Sequence, residues 1–228
     1  MIFVVVILLL GFGLVALPNM WVHQVMDRHA VERADLGGTG AEFARHALDV
    51  LKLNHVKVES TEQGNHYDPL AKAVRLEPRF MTGRSLSAIV VAAHEIGHAM
   101  QDEMGLPIYK RRLLVAKQAH LVNMIGQAFI WSAPLLLILG KSGAALIFNL
   151  VGFIGTALLS FALQVVTLPV EFDASFKRAL PLLERGRFIH SHDMKPARQL
   201  LRAAAFTYVA ALIRTIISIP GVGRLPRL

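Results

Sequence analysis

The stretch VVAAHEIGHAMQ, from Val90 to Gln101, carries two histidines, His94 and His98, four residues apart, with Glu95 directly after the first. On a helix, side chains four residues apart project from the same face, so both imidazoles can bind one metal ion at about 2.0–2.1 Å. A glutamate beside such an ion can take the proton of a water that attacks a peptide carbonyl. The stretch therefore predicts the zinc-binding helix of a peptidase; the alternative is an apolar helix that carries two surface histidines.

The residues around this stretch predict a helix from about Leu86 to Glu103. Ser85 is a suitable N-cap, and Gly105-Leu106-Pro107 is a suitable stop signal. A glycine inside a helix costs about 1 kcal/mol relative to alanine, so Gly97 suggests that another backbone approaches the helix closely at this point.

Upstream of this helix, the pattern predicts one more helix and two strands. Apolar residues have helical spacing within residues 38–54. Residues 55–60 (HVKVES) and 72–78 (KAVRLEP) alternate like strands, and the turn-rich GNHYDP lies between them. We expect a small β hairpin or sheet here. The edge of the 72–78 strand is a candidate for pairing with an extended substrate, and the alternative is an ordinary edge strand.

The composition points to a membrane protein. Of the 228 residues, 54% are hydrophobic, and the mean hydropathy is +0.48, which exceeds what a soluble globule usually buries. Residues 2–26, 118–140 and 142–170 contain no charged side chain. As helices, all three stretches are long enough to cross about 30 Å of hydrocarbon.

We expect the first of these stretches to be an uncleaved membrane anchor, because it lacks the preceding positive charge and the A-x-A-like site of a cleaved signal. The other two are expected to form a transmembrane hairpin that turns at GKSG, residues 140–143. A last hydrophobic helix, at about 197–219, contains Arg214, which costs about 2.5–3.5 kcal/mol at a bilayer centre. Whether this helix spans the membrane is left open.

The charge distribution predicts the topology, and the charge and cysteine content limit the possible partners and metal ligands. Of 24 Lys and Arg, 13 lie between Arg28 and Lys117 and seven between Lys177 and Arg202, whereas the hairpin tip has Lys141 alone. The positive-inside rule then places both flanks in the cytoplasm. No basic stripe interleaves with aromatics, so we expect no nucleic-acid partner despite the net charge of +8. There is no cysteine, so any metal must be held by His, Asp or Glu.

A catalytic zinc ion generally has three protein ligands, so the helix lacks one. No histidine occurs within the dozen residues after His98, which excludes the metzincin pattern. Among acids on the same side of the predicted membrane, Glu171 in LPVEFDAS lies where the hairpin returns. Its alternative role is a first-turn glutamate favoured by the helix dipole. Asp173 is the competing ligand, or a partner that orients a histidine.

Four segments resemble the YugP-type neutral zinc metallopeptidases of bacterial membranes and, more distantly, the HtpX-type membrane proteases: VAAHEIGHAMQ, LPVEFDAS with the RAL that follows, AAAFTYVAAL and HYDP. The resemblance covers almost the whole chain. It implies a zinc-dependent peptidase of the bacterial inner membrane, with zinc held by His94, His98 and Glu171 and with Glu95 as the base. In the HtpX-type pattern an acid follows the third ligand by four residues, whereas Ser175 stands there in this chain.

The predicted fold is a mainly α-helical membrane protein with a small β hairpin or sheet, in which a zincin-like (gluzincin) catalytic helix is joined to transmembrane helices. We divide the chain into an N-terminal anchor (1–26), a zincin-like catalytic part (27–117), a transmembrane helical hairpin (118–170) and a helical part (171–228). The last part carries the proposed third ligand and the C-terminal hydrophobic helix.

The predicted function is a multi-pass membrane endopeptidase whose catalytic part faces the cytoplasm, with Zn2+ as cofactor. Its partners would be the lipid bilayer and a protein or peptide substrate associated with the membrane. Tyr208 and Tyr67 are the favoured donors to the oxyanion of the transition state, ahead of three histidines, His66, His190 and His192. The alternative is a membrane scaffold or assembly factor with a structural or vestigial metal site. Glu95 favours the enzyme, because a purely structural site has no use for it.

Overall fold

The computed structural model describes residues 20–139, 143–186 and 188–216, which form a mainly helical protein with a small three-stranded sheet. The α-helices are α1 (20–28), α2 (Gly40–Val50), α3 (Pro78–Met81), α4 (Leu86–Glu103), α5 (Pro107–Leu139), α6 (Gly143–Val165), α7 (Leu168–Phe172), α8 (Leu180–Arg185) and α9 (Met194–Ile216). A π-helical segment (Asp173–Ala179) and a 3-10 turn (Ser191–Asp193) complete the helical elements. The strands are β1 (Lys57–Ser60), β2 (His66–Asp68) and β3 (Ala73–Leu76).

Helix α4 forms the centre of the core, and its predicted bounds are confirmed. Ser85 caps its first turn by accepting a hydrogen bond from the backbone N–H of Ala88, and Gly105 follows its end with a φ of +61°. Every residue from Leu86 to Ala99 is buried. The helix therefore has no solvent-facing stripe over this stretch, and each of its polar side chains needs a partner inside the protein.

Helices α2 and α9 pack against α4 and close the core around it. Helix α2 begins with a capping box, in which Thr39 and Glu42 each accept a hydrogen bond from the backbone N–H of the other. Its buried face includes Phe43 and Leu48, and α9 contributes Leu200 and Leu201. The amphipathic helix predicted within residues 38–54 is confirmed.

The sheet differs from the predicted hairpin. Its strand order is β1-β3-β2, with β1 parallel to β3 and β2 antiparallel to β3. The third strand, β2, lies within the GNHYDP segment. The turn-forming residues of this segment predict a loop, although three of its residues are extended. Because β3 is the central strand, both of its edges are already paired. The prediction that its edge is free for a substrate is therefore wrong.

Helix α7, the π-helical segment and α8 follow one another without a loop. A π-helical turn accommodates an additional residue and often occurs at a functional site. In this run Glu171, Asp173, Ala174 and Ser175 are all buried, and the π-helical segment packs against α4. The helical run thus begins at Leu168, three residues before the start of the predicted helical part (171–228), and its π-helical turn leaves no mark in the hydrophobic pattern.

Helices α5 and α6 pack against each other as a pair. The amide of Asn149, buried in α6, donates hydrogen bonds to the carbonyl of Phe129 at 2.8 Å and to Oγ of Ser132 at 2.7 Å. These contacts fix one crossing point between the two helices.

The prediction of transmembrane helices is wrong for the described part of the chain. Among its helices, none combines the length with the apolar character needed to cross a bilayer. The prediction depended on the absence of charged residues over residues 118–170. Uncharged polar residues such as Gln118, Gln127 and Asn149 also lower the hydropathy of α5 and α6.

Several predictions of the topology lie outside the described residues. These are most of the anchor predicted over residues 1–26, Lys141 at the predicted hairpin tip, and the chain after residue 216. The part of the anchor region that is described forms α1, where Val22, Val25 and Met26 are buried in the core.

Candidate metal centre

Three side chains with metal-binding atoms meet between α4 and α7. Nε2 of His94 lies 3.4 Å from Oε2 of Glu171, and Nε2 of His98 lies 3.3 Å from the same oxygen. Within the described ranges, this is the one group of at least three His, Asp or Glu residues whose ligand atoms are close enough to share a metal ion. All three side chains are buried, Glu171 completely. Their donor atoms therefore face one another and not the solvent.

The separations in this group suit a zinc ion. Ligand atoms about 2.0–2.1 Å from a tetrahedral zinc ion lie about 3.3–3.4 Å from one another, which matches the two distances to Oε2 of Glu171. Both distances are longer than most N–H···O hydrogen bonds. Among the described side chains, none donates a well-aligned hydrogen bond to this buried oxygen. Two imidazoles and a carboxylate are also a ligand set that catalytic zinc uses, so the side chains fit the ion.

The second carboxylate oxygen of Glu171 faces a permanent positive charge. Nη2 of Arg112, in the second turn of α5, lies 3.0 Å from Oε1. Burial raises the pKa of the Glu171 carboxyl, but the charges of Arg112 and His98 and the contacts with both histidines lower it more, so the pKa lies well below 4.5. Glu171 is therefore an anion at neutral pH even without a metal ion.

Glu95 lies beside the ligand group and is not part of it. Its side chain is buried, and it follows His94 directly in α4. Burial lowers the pKa of His94, but Glu171 and the charge of Glu95 raise it more, so the net direction is upward. Because Glu95 is buried and follows His94 directly on this helix, its carboxylate is a candidate for the general base beside the site.

Both histidines are held through their other ring nitrogen. Nδ1 of His94 lies 3.0 Å from Oγ of Ser175, and Nδ1 of His98 lies 2.9 Å from Oε1 of Gln101. Ser175 and Gln101 are completely buried. Metal-binding histidines usually make such a contact, because it orients the ring and leaves the first nitrogen available.

Asp173 is placed next to the ligand group rather than in it. Its Oδ2 accepts hydrogen bonds from Nε2 of Gln101 at 2.9 Å and from Nε of Arg178 at 3.1 Å. The sequence predicts two alternative roles for Asp173: it could be a metal ligand, or it could orient a histidine that is one. The contacts correspond to the second role, and they reach His98 through Gln101.

Gly97 allows the π-helical segment to approach α4 closely. A Cβ atom at this position would lie only 2.6 Å from the carbonyl oxygen of Ala174. This contact is the close backbone approach that a glycine in the middle of a helix suggests. It brings Ser175, the next residue, against His94.

Of the two tyrosines predicted to stabilise the oxyanion, Tyr67 has its hydroxyl engaged elsewhere. The hydroxyl donates to Oδ2 of Asp102 at 2.8 Å, and Asp102 also pairs with Nζ of Lys72 at 2.6 Å. Burial and this hydrogen bond raise the pKa of Tyr67. Tyr208 belongs to α9, but its side chain lies outside the described residues.

The three histidines considered as alternative donors are not among the residues that meet at the centre. Nδ1 of His66 donates to the carbonyl of Gly64 at 2.8 Å. His190 and His192 stack on each other with ring centroids 5.3 Å apart, in the segment before α9, and both are exposed.

Sequence reasoning missed three residues of the centre: Arg112, Gln101 and Ser175. Arg112 belongs to a run of basic residues that looks like the flank of a membrane hairpin, so no local signal separates it from its neighbours. Gln101 follows His98 by three residues and Ser175 follows Glu171 by four. Helical spacing of this kind places a side chain on the same face as the ligand and was a usable signal.

Comparisons with known proteins identify the family of this chain. The family model described as "Putative neutral zinc metallopeptidase" matches residues 2–222. A Bacillus subtilis (strain 168) protein named "Putative membrane protease YugP" is 38% identical over 207 residues, which cover 89% of this chain and 87% of that protein. No solved structure is significantly similar to the chain. The resemblance found in the sequence motifs is thus confirmed, and the chain belongs to the neutral zinc metallopeptidase family.

Proposed function

We propose that this protein is a zinc endopeptidase in which His94, His98 and Glu171 hold the ion and Glu95 is the general base. The observation that carries the proposal is the pair of 3.3–3.4 Å separations between the two Nε2 atoms and one oxygen of Glu171. The buried glutamate immediately next to this group supports a catalytic rather than a structural role, because a structural site has no use for a base.

The ion and the protein would contribute different parts of the proposed reaction. A zinc ion bound here would supply a Lewis acid that polarises a peptide carbonyl and makes a water nucleophilic near neutral pH. Glu95 then accepts the proton of the attacking water and delivers it to the leaving amine nitrogen. Arg112 keeps Glu171 in place by holding Oε1 while Oε2 faces the histidines. The buried walls of α4 and α7 keep bulk water away from these charges.

We propose Tyr208 ahead of Tyr67 as the donor to the oxyanion. The hydroxyl of Tyr67 already donates to Asp102, and helix α9, which contains Tyr208, packs against α4. Replacing Tyr208 with Phe should lower kcat and leave the zinc content unchanged. An unchanged kcat excludes this role.

We further propose that the substrate is a protein or peptide at a membrane surface. This part of the proposal is extended from the Bacillus subtilis relative, whose name calls it a membrane protease. It is tested by comparing cleavage of one peptide sequence free in solution and attached to a lipid anchor in vesicles. Equal rates in the two settings count against it.

Glu95→Gln is the decisive variant for the proposed base. The amide has nearly the same shape, so zinc binding and folding should be retained, while the group that accepts the proton is lost. General-base assistance contributes about 10²- to 10⁴-fold, and we expect casein hydrolysis to fall by at least the lower figure at matched zinc content. The matched control is Glu103→Gln, which makes the same change at an exposed position of the same helix. Chelator-sensitive hydrolysis by Glu95→Gln at the wild-type rate contradicts the assignment.

A further inference from the structure

Gln101 is a completely buried amide that the proposed catalytic steps do not use. It lies one turn after His98 on α4 and touches both His98 and the helical run that carries Glu171. Nε2 of Gln101 lies 2.9 Å from the carbonyl of Val170 and 2.9 Å from Oδ2 of Asp173. Its Oε1 lies 2.9 Å from Nδ1 of His98.

The neighbours of Gln101 fix the orientation of its amide. The carbonyl of Val170 can only accept a hydrogen bond, and so can an ionised Asp173, which also accepts from Nε of Arg178 at 3.1 Å. The NH2 group must therefore point at these two acceptors. A flipped amide would place its oxygen against two other oxygens and leave the amide oxygen without a donor.

The fixed amide in turn fixes the tautomer of His98. An amide oxygen only accepts, so the proton of the neutral imidazole must be on Nδ1, the nitrogen that faces Oε1. The other nitrogen, Nε2, then has a free lone pair, and Nε2 is the atom 3.3 Å from Oε2 of Glu171. His94 lacks such a constraint from its own partner, because the hydroxyl of Ser175 can donate or accept.

We propose that Gln101, Asp173 and Arg178 form a positioning relay that holds His98 as the Nδ1–H tautomer and presents Nε2 to the metal ion. The inference rests on the proposed function. Asp173 and Val170 both flank Glu171 in the sequence, so the relay also ties the ring of one ligand to the helix that supplies another. Gln101 is therefore a positioning residue of the metal centre and not merely a buried link between two helices.

The first test measures zinc affinity of the purified full-length chain by competition with a chromophoric chelator. Gln101→Leu removes both the acceptor for His98 and the donor to Asp173, and we expect affinity to fall about 10- to 100-fold, as for other partners of metal ligands. The matched control is Ser87→Ala on the same helix, where Oγ is also buried and donates to the carbonyl of Met26 at 2.6 Å. The control loses a buried hydrogen bond too, but should keep the wild-type zinc affinity.

A rescue experiment separates the relay from general packing. Gln101→Glu retains an acceptor for His98 but sets two carboxylates against each other. Adding Asp173→Asn removes this repulsion, because the asparagine amide is uncharged and its NH2 group can donate to the new carboxylate. The double variant should therefore bind zinc more tightly than Gln101→Glu alone. A double variant no better than the single one contradicts the relay.

The second test uses the zinc-free wild type, so it requires neither a metal ion nor a variant that folds. The ¹⁵N NMR spectrum of the zinc-free wild type distinguishes protonated from unprotonated imidazole nitrogens, and the neutral His98 ring should carry its proton on Nδ1. A proton on Nε2 overturns the inference, as does zinc affinity in Gln101→Leu equal to that of Ser87→Ala. Failure of the wild type to bind zinc at all is a different result, which overturns the proposed function and the inference together.

Discussion

Replacing Gly97 with Ala perturbs the packing that brings the third proposed ligand to the histidines. The added Cβ would lie 2.6 Å from the carbonyl oxygen of Ala174, and 3.1 and 3.2 Å from its carbonyl carbon and Cα. All three are backbone atoms, so no side-chain rotation relieves the collision. The π-helical segment must move away from α4.

The size of this movement determines how much zinc affinity and stability are lost. Reaching an ordinary contact of 3.4 Å requires an increase of about 0.8 Å, several times the roughly 0.2 Å tolerance of a metal–ligand distance. Overpacking costs about 1–3 kcal/mol, and alanine returns about 1 kcal/mol of helix propensity. We therefore expect a loss of zero to about 2 kcal/mol in the free energy of unfolding, but a large loss of zinc affinity.

The assay is chelator competition for zinc, combined with thermal unfolding of the zinc-free protein. Gly155→Ala is the matched control, because it makes the same change inside α6 where, apart from the backbone of the helix itself, the described residues place no atom within 4 Å of the new Cβ. This control should be slightly more stable than the wild type and should keep the wild-type zinc affinity. Wild-type zinc affinity in Gly97→Ala would refute the reasoning, since the close approach of Ala174 would then be irrelevant to the centre.

Other predictions concern the charges and contacts of the same centre. Arg112→Met should weaken zinc binding, since it frees Oε1 of Glu171 and leaves this carboxylate without its permanent partner; a chelator competition equal to wild type contradicts this. Ser175→Ala removes the contact to Nδ1 of His94 and should reduce zinc affinity about tenfold, measured in the same way. In the zinc-free protein, the pKa of Glu171 lies below its unfolded value of 4.5, so its stabilisation is fully present above that pH and is lost as the pH falls. Melting temperatures should therefore fall less steeply in Glu171→Gln than in wild type as the pH is lowered through and below about 4.5. Saturating zinc at about 100 times its Kd should stabilise the wild type by about 2.7 kcal/mol, and an unchanged Tm on adding zinc rules this out.

Local patterns predicted the helix that contains the two histidines because capping and stop signals are local. Ser85 and Gly105 mark the ends of α4, and the structure places both at those ends. The approach of another backbone at Gly97 was also predictable, since glycine in a helix interior needs a reason. Arg112 reaches Glu171 only through the packing of α5 against the helical run that follows α6, and no spacing in the sequence encodes that contact.

The sheet and the membrane helices show where local patterns mislead. Residues 66–68 become a strand because β3 offers them backbone partners, although GNHYDP is dense in turn residues. Strand order depends on how the connection folds back, so two alternating segments do not distinguish a hairpin from a parallel pair. Counting charges alone overstated the apolar character of residues 118–170, for which the described helices do not meet the requirement for crossing a bilayer.

Anomalous scattering at the zinc edge, from crystals grown with zinc, tests the central claim most directly. The account predicts one strong peak bounded by Nε2 of His94, Nε2 of His98 and Oε2 of Glu171, at about 2.0–2.2 Å from each. A peak bound by the two histidines but distant from Glu171, or one located only at surface histidines such as His190 and His192, would contradict it.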